Sequence, residues 1–135
     1  MKIVVVDGQG GGVGKSLIEQ IRANIPSADI TAIGTNSAAT SCMLKAGANS
    51  AATGENSVVF ASKRADIIAG PIGIILSDAM LGEITEKMAN AITISNAKKV
   101  LIPISKCHTS IAGLADKPMS KYIDDAVDII KDFYN

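Results

Sequence analysis

Short apolar runs alternate along the whole chain with segments whose apolar residues fall at helical spacing. Lys2 to Val6 is continuous and β-branched, the pattern of a strand covered on both faces. Val13 to Ile25 then carries apolar residues at Val13, Leu17, Ile18, Ile21 and Ile25, one face of a helix, and Pro26 stops it. Asp29 to Ile33 predicts a second strand, Ser37 to Ala46 a small-residue helix ending at Gly47, and Ser50 to Thr53 a short strand or turn. Thr53-Gly54-Glu55-Asn56 predicts a helix start leading into Ser57 to Lys63. Asp66 to Ala69 predicts another buried strand, broken by Gly70-Pro71-Ile72-Gly73, after which Ile74 to Leu81 and Ile84 to Ala91 read as helical segments split around Gly82. Val100 to Ile104 predicts the last strand. Residues 118 to 133, with Met119, Tyr122, Ile123, Val127 and Ile130 on one stripe, predict a closing amphipathic helix. This alternation implies one doubly wound α/β domain over residues 1–135, with a mostly parallel sheet between two helical layers. Ligands of such sheets bind at the carboxyl ends of the strands.

Composition narrows the candidates for that ligand. A chain of 135 residues, 47% of them apolar, is long enough to bury one core and too short for two domains. Thirteen basic and thirteen acidic residues cancel without a long like-charge run, which argues against nucleic acid or a membrane surface as partner. The strand-like N-terminus lacks a signal-peptide pattern, and no apolar run approaches a membrane span, so a cytoplasmic protein is expected. Cys42 and Cys107 lie in different elements, form no C-x-x-C pair and indicate neither a disulfide framework nor a metal site. Aromatic residues make up 3% of the chain, which leaves few platforms for stacking bases.

The strongest chemical signal is the stretch Val4 to Ser16, VVVDGQGGGVGKS, with five glycines between Gly8 and Gly14. Glycines between a strand and a helix allow a tight turn and close backbone approach, and the helix N-terminus offers N–H groups and a positive dipole end to phosphate. Three readings compete. In a strict P-loop the first glycine would stand at position 9, where the chain has Gln9. Gln9-Gly10-Gly11-Gly12-Val13-Gly14-Lys15-Ser16 does resemble the deviant loop of the MinD and ParA ATPases, with Gly10 where their signature lysine stands. That resemblance implies ATP with Mg²⁺, Lys15 on the β- and γ-phosphates and Ser16 on the metal. Yet no later strand ends in a convincing metal-binding aspartate.

The second reading is a dinucleotide loop. Asp7 to Gly14 resembles the T-G-x-x-x-G-x-G loop of short-chain dehydrogenases at Gly8, Gly12 and Gly14, with Asp7 in place of the threonine, and implies NAD or NADP. Against it, the second strand ends in Gly34-Thr35-Asn36, with no acid for a ribose diol and no arginine for a 2′-phosphate. The Tyr-x-x-x-Lys pair of that family is missing too, because Tyr122 is followed four residues later by Ala126, so hydride transfer is not supported. The third reading is a structural turn that binds nothing. So many glycines cost about 1 kcal/mol each relative to alanine within regular structure, which favours a ligand as the reason for them.

Over nearly all its length the chain resembles a family of small bacterial proteins described as a domain of unknown function. The resemblance is carried by DGQGGGVGK, GTNSAATSCMLKAGAN, ATGEN, ADIIAGPIGIILSDAMLGEIT and KKVLIPISKC. It implies a stand-alone Rossmann-like α/β/α domain and carries over no catalytic residue, so catalysis is left open.

Position in the fold supplies the remaining candidates. Thr35 and Asn36 after the second strand, Thr53, Glu55 and Asn56 after the third, and Gly70 to Gly73 after the fourth are expected to converge on the glycine loop. Glu55 reads as a ribose acceptor, an acid/base or a first-turn capping acid, and Asn36 as a rim or turn residue. The neighbours Cys107 and His108 would point to opposite faces of a strand, so they make no nucleophile-base dyad without a third group. Ser77 to Ile84, small and apolar around Gly82, can serve as core packing or as a homodimer seam. The expected ligand is a phosphate-bearing small molecule held by Gly8, Gln9, Gly10, Gly11, Gly12, Val13, Gly14, Lys15 and Ser16, with Thr35, Asn36 and Gly70 on the rim.

Overall fold

A computed structural model describes residues 1–104 and 109–134. The β-branched runs form five strands: β1 (Lys2–Asp7), β2 (Asp29–Gly34), β3 (Ser50–Thr53), β4 (Ile67–Pro71) and β5 (Lys98–Ile102). All pair in parallel in the order β3-β2-β1-β4-β5. Between and after them lie helices α1 (Gly12–Asn24), α2 (Ser37–Lys45), α3 (Glu55–Ser62), α4 (Glu86–Ile94) and α5 (Met119–Tyr134). The doubly wound α/β architecture therefore holds. No helix among the described residues is long and apolar enough to cross a membrane.

Alternate residues of each central strand feed two cores, as the two-residue strand period requires. Ile3 and Val5 of β1 join Ile30, Ala32, Ile67 and Ala69 beneath α1, α2 and α5, while Val4 and Val6 join Ile33 and Ile68 beneath α3 and α4. Register aligns the strand tips: Asp7 lies beside Gly34, and Gly34 beside Thr53. The chain winds from β1 through β2 to β3, then crosses to β4 on the other side of β1. The loops leaving β1 and β4 thus diverge at the switch of direction, where open α/β sheets take their ligands.

One polar clasp holds the amino-terminal edge. Arg22, in the last turn of α1, donates to the carbonyls of Gly47 (3.2 and 2.8 Å), Pro26 (2.8 Å) and Ala28 (2.7 Å) and to Asn49 Oδ1 (2.8 Å). Asn49 Oδ1 also accepts from the Ile30 N–H (2.8 Å), so the clasp ties α1, the start of β2 and the turn before β3 together.

The structure departs from the sequence pattern around β4. The strand runs through Gly70 and Pro71 instead of breaking at Gly70, because a Cβ there would strike the Val6 carbonyl oxygen and glycine alone keeps β4 close to β1. Ile74 to Leu81 is not a helix: one 3₁₀ turn covers Ile72–Ile75, and turns follow. Asp78, Met80, Leu81 and Gly82 all have positive φ (66, 58, 56 and 88°), which no right-handed helix tolerates. Ile74, Ala79 and Ile84 are buried nonetheless, so core burial from irregular backbone produced the helix-like spacing. The helix predicted from Ile84 starts only at Glu86, because Thr85 is extended (φ −74°, ψ 159°) and its side chain accepts from the Met88 N–H to cap α4. The last strand begins at Lys98 and stops at Ile102, not Ile104. Cys107 and His108 lie outside the described residues.

Candidate functional site

The strand-loop-helix unit is built on Asp7, the last residue of β1 and only 4% exposed. Its carboxylate accepts from the N–H of Gly8 (2.8 Å) and of Gly14 (2.7 Å), bracing the loop from behind. Burial pushes its pKa above the ordinary carboxylate value. The bonds from Gly14 and Gly8 oppose that shift, and the nearby Glu83 charge adds to it. The loop then closes on itself, with Gly11 N–H donating to the Gly8 carbonyl (2.9 Å) and Lys15 N–H to the Gly11 carbonyl (2.8 Å).

The glycines divide by what surrounds them. At Gly8 a Cβ would lie 2.6 Å from Thr35 Oγ1, 2.7 Å from Met80 Sδ and 3.0 Å from Glu83 Oε1. Gly11, the left-handed residue before α1 (φ 76°), would meet the Ala39 backbone at 2.9 Å, and Gly14 would strike Met43. These three exist for packing and turn geometry. Gly10 and Gly12 differ, because no atom lies within 4 Å of a Cβ at either position. Both are exposed, and their N–H groups donate to no described protein atom. Open N–H groups just before and at the first residue of a thirteen-residue helix are donors of the kind to which an anion can bind.

The rim residues converge as the sheet topology requires. Thr35 N–H donates to the Asp7 carbonyl (3.0 Å). Asn36 caps α2 by accepting from Ala39 N–H (2.9 Å), and its amide nitrogen donates to the Gln9 carbonyl (2.9 Å). The residue the sequence reading missed is Glu83. Its Oε1 accepts from Gln9 N–H (2.8 Å), Thr35 hydroxyl (2.5 Å) and Asn36 amide (2.9 Å), gathering the first loop and the tip of β2 around one carboxylate. The Thr35 bond, then the Gln9 bond, hold its pKa below the ordinary value, so Glu83 is ionised at neutral pH. The contact spans 48 residues from Thr35 and 74 from Gln9 and comes from a stretch with helix-like spacing, so no local signal could reveal it.

Other candidates fall elsewhere. Glu55 sits in the first turn of α3, and its Oε2 accepts from Thr85 Oγ1 (2.6 Å), so it ties α3 to the cap of α4. Val13 packs against the α1-side core, and Lys15 is exposed in the first turn of α1. Ser16 borders the groove between α1 and α5, beside Glu19, Met119 and Ser120. Gly70 is enclosed between Val6 and Ile74. Among the described residues no three His, Cys, Asp or Glu side chains group closely enough to hold a metal ion.

Comparison with solved structures places this geometry among known folds. A protein from Escherichia coli O157:H7, described as a dodecameric FMN-dependent Ubix-like decarboxylase, superposes with a TM-score of 0.54 at 13% identity, covering 99% of this chain and 94% of the other. A UDP-glucose 4-epimerase from Bifidobacterium longum, solved with NAD+ and UDP, gives a TM-score of 0.43 at 15% identity, and the chain spans 49% of its length. The first likeness shows the fold, a Rossmann-like α/β domain, and nothing more. No curated protein matches the sequence. The model of a domain of unknown function, DUF3842, matches residues 2–135, in agreement with the resemblance read from the sequence motifs, and the chain belongs to that family.

Proposed function

We propose that this domain binds a nucleotide or dinucleotide, with phosphate on the N–H groups of Gly10 and Gly12 and the nucleoside toward Thr35 and Asn36. One observation carries the reading: two exposed glycines, whose N–H groups donate to no described residue and have open space above them, stand at the start of α1, where the winding of the sheet reverses. Asp7 already occupies the N–H groups of Gly8 and Gly14, which leaves Gly10 and Gly12 as the donors for ligand phosphate.

NAD, NADP and FMN are the first ligands to try, FMN because the decarboxylase of similar fold is described as dependent on it. ATP with Mg²⁺, on Lys15 and Ser16, is the competing ligand. Thermal shift with each compound, with and without Mg²⁺, tests the reading. A ligand at about 100 times its Kd adds about 2.7 kcal/mol of stability. A metal-independent shift that Gly12→Val abolishes supports the proposal. A shift requiring Mg²⁺ and ATP transfers the function to Lys15 and Ser16, and silence with every compound rejects nucleotide binding.

A further inference from the structure

In dinucleotide folds an acid at the end of the second strand accepts the ribose hydroxyls, and here that strand ends in Gly34-Thr35-Asn36 without one. The structure brings an acid to the same place by another route. Glu83 leaves the turn between β4 and α4, reaches past the carboxyl end of β1, and sets its carboxylate against Thr35 and Asn36 at the tip of β2. Only Oε1 is used in that contact; Oε2 accepts nothing from any described residue, and the side chain is half-buried. Gln9 N–H, bonded to Oε1, immediately precedes Gly10, whose N–H is open. A fixed, ionised acceptor is therefore bonded to the residue that immediately precedes the proposed phosphate donor.

We infer that Glu83 is the ribose acceptor of this domain and makes the site selective for nucleotides with a free 2′-hydroxyl, against 2′-phosphates and 2′-deoxy sugars. The inference rests on the nucleotide-binding reading and adds to it the identity of the sugar. The free Oε2 supplies an acceptor for the hydroxyls, and the negative charge repels a phosphate at the same carbon. Three donors, from Gln9, Thr35 and Asn36, fix the carboxylate before ligand arrives, so little side-chain freedom is lost on binding.

A role confined to holding the β4-α4 turn in place would affect stability alone, so the test must read selectivity. Calorimetric titration compares NAD with NADP and ATP with 2′-deoxy-ATP on the unaltered protein and on Glu83→Gln, with melting temperature recorded for both proteins. The expected result is a preference of about tenfold or more for NAD over NADP and for ATP over its deoxy form, with both gaps closing in the variant. If Glu83→Gln unfolds, Thr35→Val, which removes one of the three donors and leaves the charge, narrows the gap between ATP and its deoxy form while the gap between NAD and NADP persists. Binding without preference, or a preference that survives Glu83→Gln in a folded variant, overturns the role of Glu83 and leaves nucleotide binding standing. Absence of binding by all four compounds overturns this inference, and the nucleotide reading falls with it when FMN is silent too.

Discussion

Gly12 and Gly14 stand two residues apart in the first turn of α1 and answer to different demands. A Cβ at Gly14 would strike the Met43 thioether and sit 3.0 Å from the Asp7 Cβ, whereas one at Gly12 meets nothing within 4 Å. Gly14→Ala should therefore cost about 1–3 kcal/mol in urea unfolding, the usual range for overpacking. Gly12→Val should unfold almost as the parent does yet lose the ligand, because its methyl groups fill the space phosphate would take. The two carboxylates behind and above this loop titrate with opposite consequences. Burial raises the Asp7 pKa, so its contribution to stability is fully present below about pH 4 and is lost as pH rises through the raised value. Glu83, held by Thr35, Gln9 and Asn36, has a lowered pKa; its contribution is present above about pH 4.5 and lost as pH falls through that lowered value. Melting curves across pH should separate them: Asp7→Asn flattens the decline toward neutral pH, and Glu83→Gln flattens the acid limb. A parent profile that neither variant alters would refute both assignments.

Regular elements were legible wherever their burial is periodic. β1, β2 and β3, α1, α2 and α5 each fall within two residues of the boundaries that apolar spacing predicts, because each buries one stripe or two alternate faces. The stretch from Ile72 to Thr85 was not legible, and the reason is physical. Ile74, Ala79 and Ile84 reach the core from a chain that reverses through left-handed residues, while Leu81, 97% exposed, adds an apolar letter that buries nothing. What ends this turn is the Thr85 cap. Its hydroxyl oxygen accepts from Met88 N–H (3.1 Å) and donates to Glu55 Oε2 (2.6 Å), so one side chain starts α4 and ties it to α3. Thr85→Ala should lower stability by about 1–2 kcal/mol, whereas Thr85→Ser, which keeps the oxygen, should recover most of that loss. Equal destabilisation by both would mean that the methyl group, rather than the hydroxyl, matters at this position.

Across the whole molecule, the sequence order of strands and helices implied a parallel sheet with the glycine loop at the carboxyl ends of its strands, and the switch of direction between β1 and β4 lies beside that loop. The long-range closure by Glu83 was invisible because hydrogen bonds spanning 48 and 74 residues leave no mark in local spacing. The same topology permits a test that separates binding at the loop from binding anywhere else. β1 is the central strand, paired on both sides, and Val4 and Val5 are fully buried, so their amides exchange only when the whole domain opens. Any ligand of the native state at about 100 times its Kd slows that exchange about 100-fold, wherever it sits. The amides of Gly10 and Gly12 are exposed and bonded to no described residue, so they are expected to exchange rapidly without any opening. A nucleotide seated on them must slow β1 and these two glycines together. A ligand that slows β1 yet leaves Gly10 and Gly12 exchanging as before is bound elsewhere on the domain, and the glycine loop is then a turn shaped by packing alone.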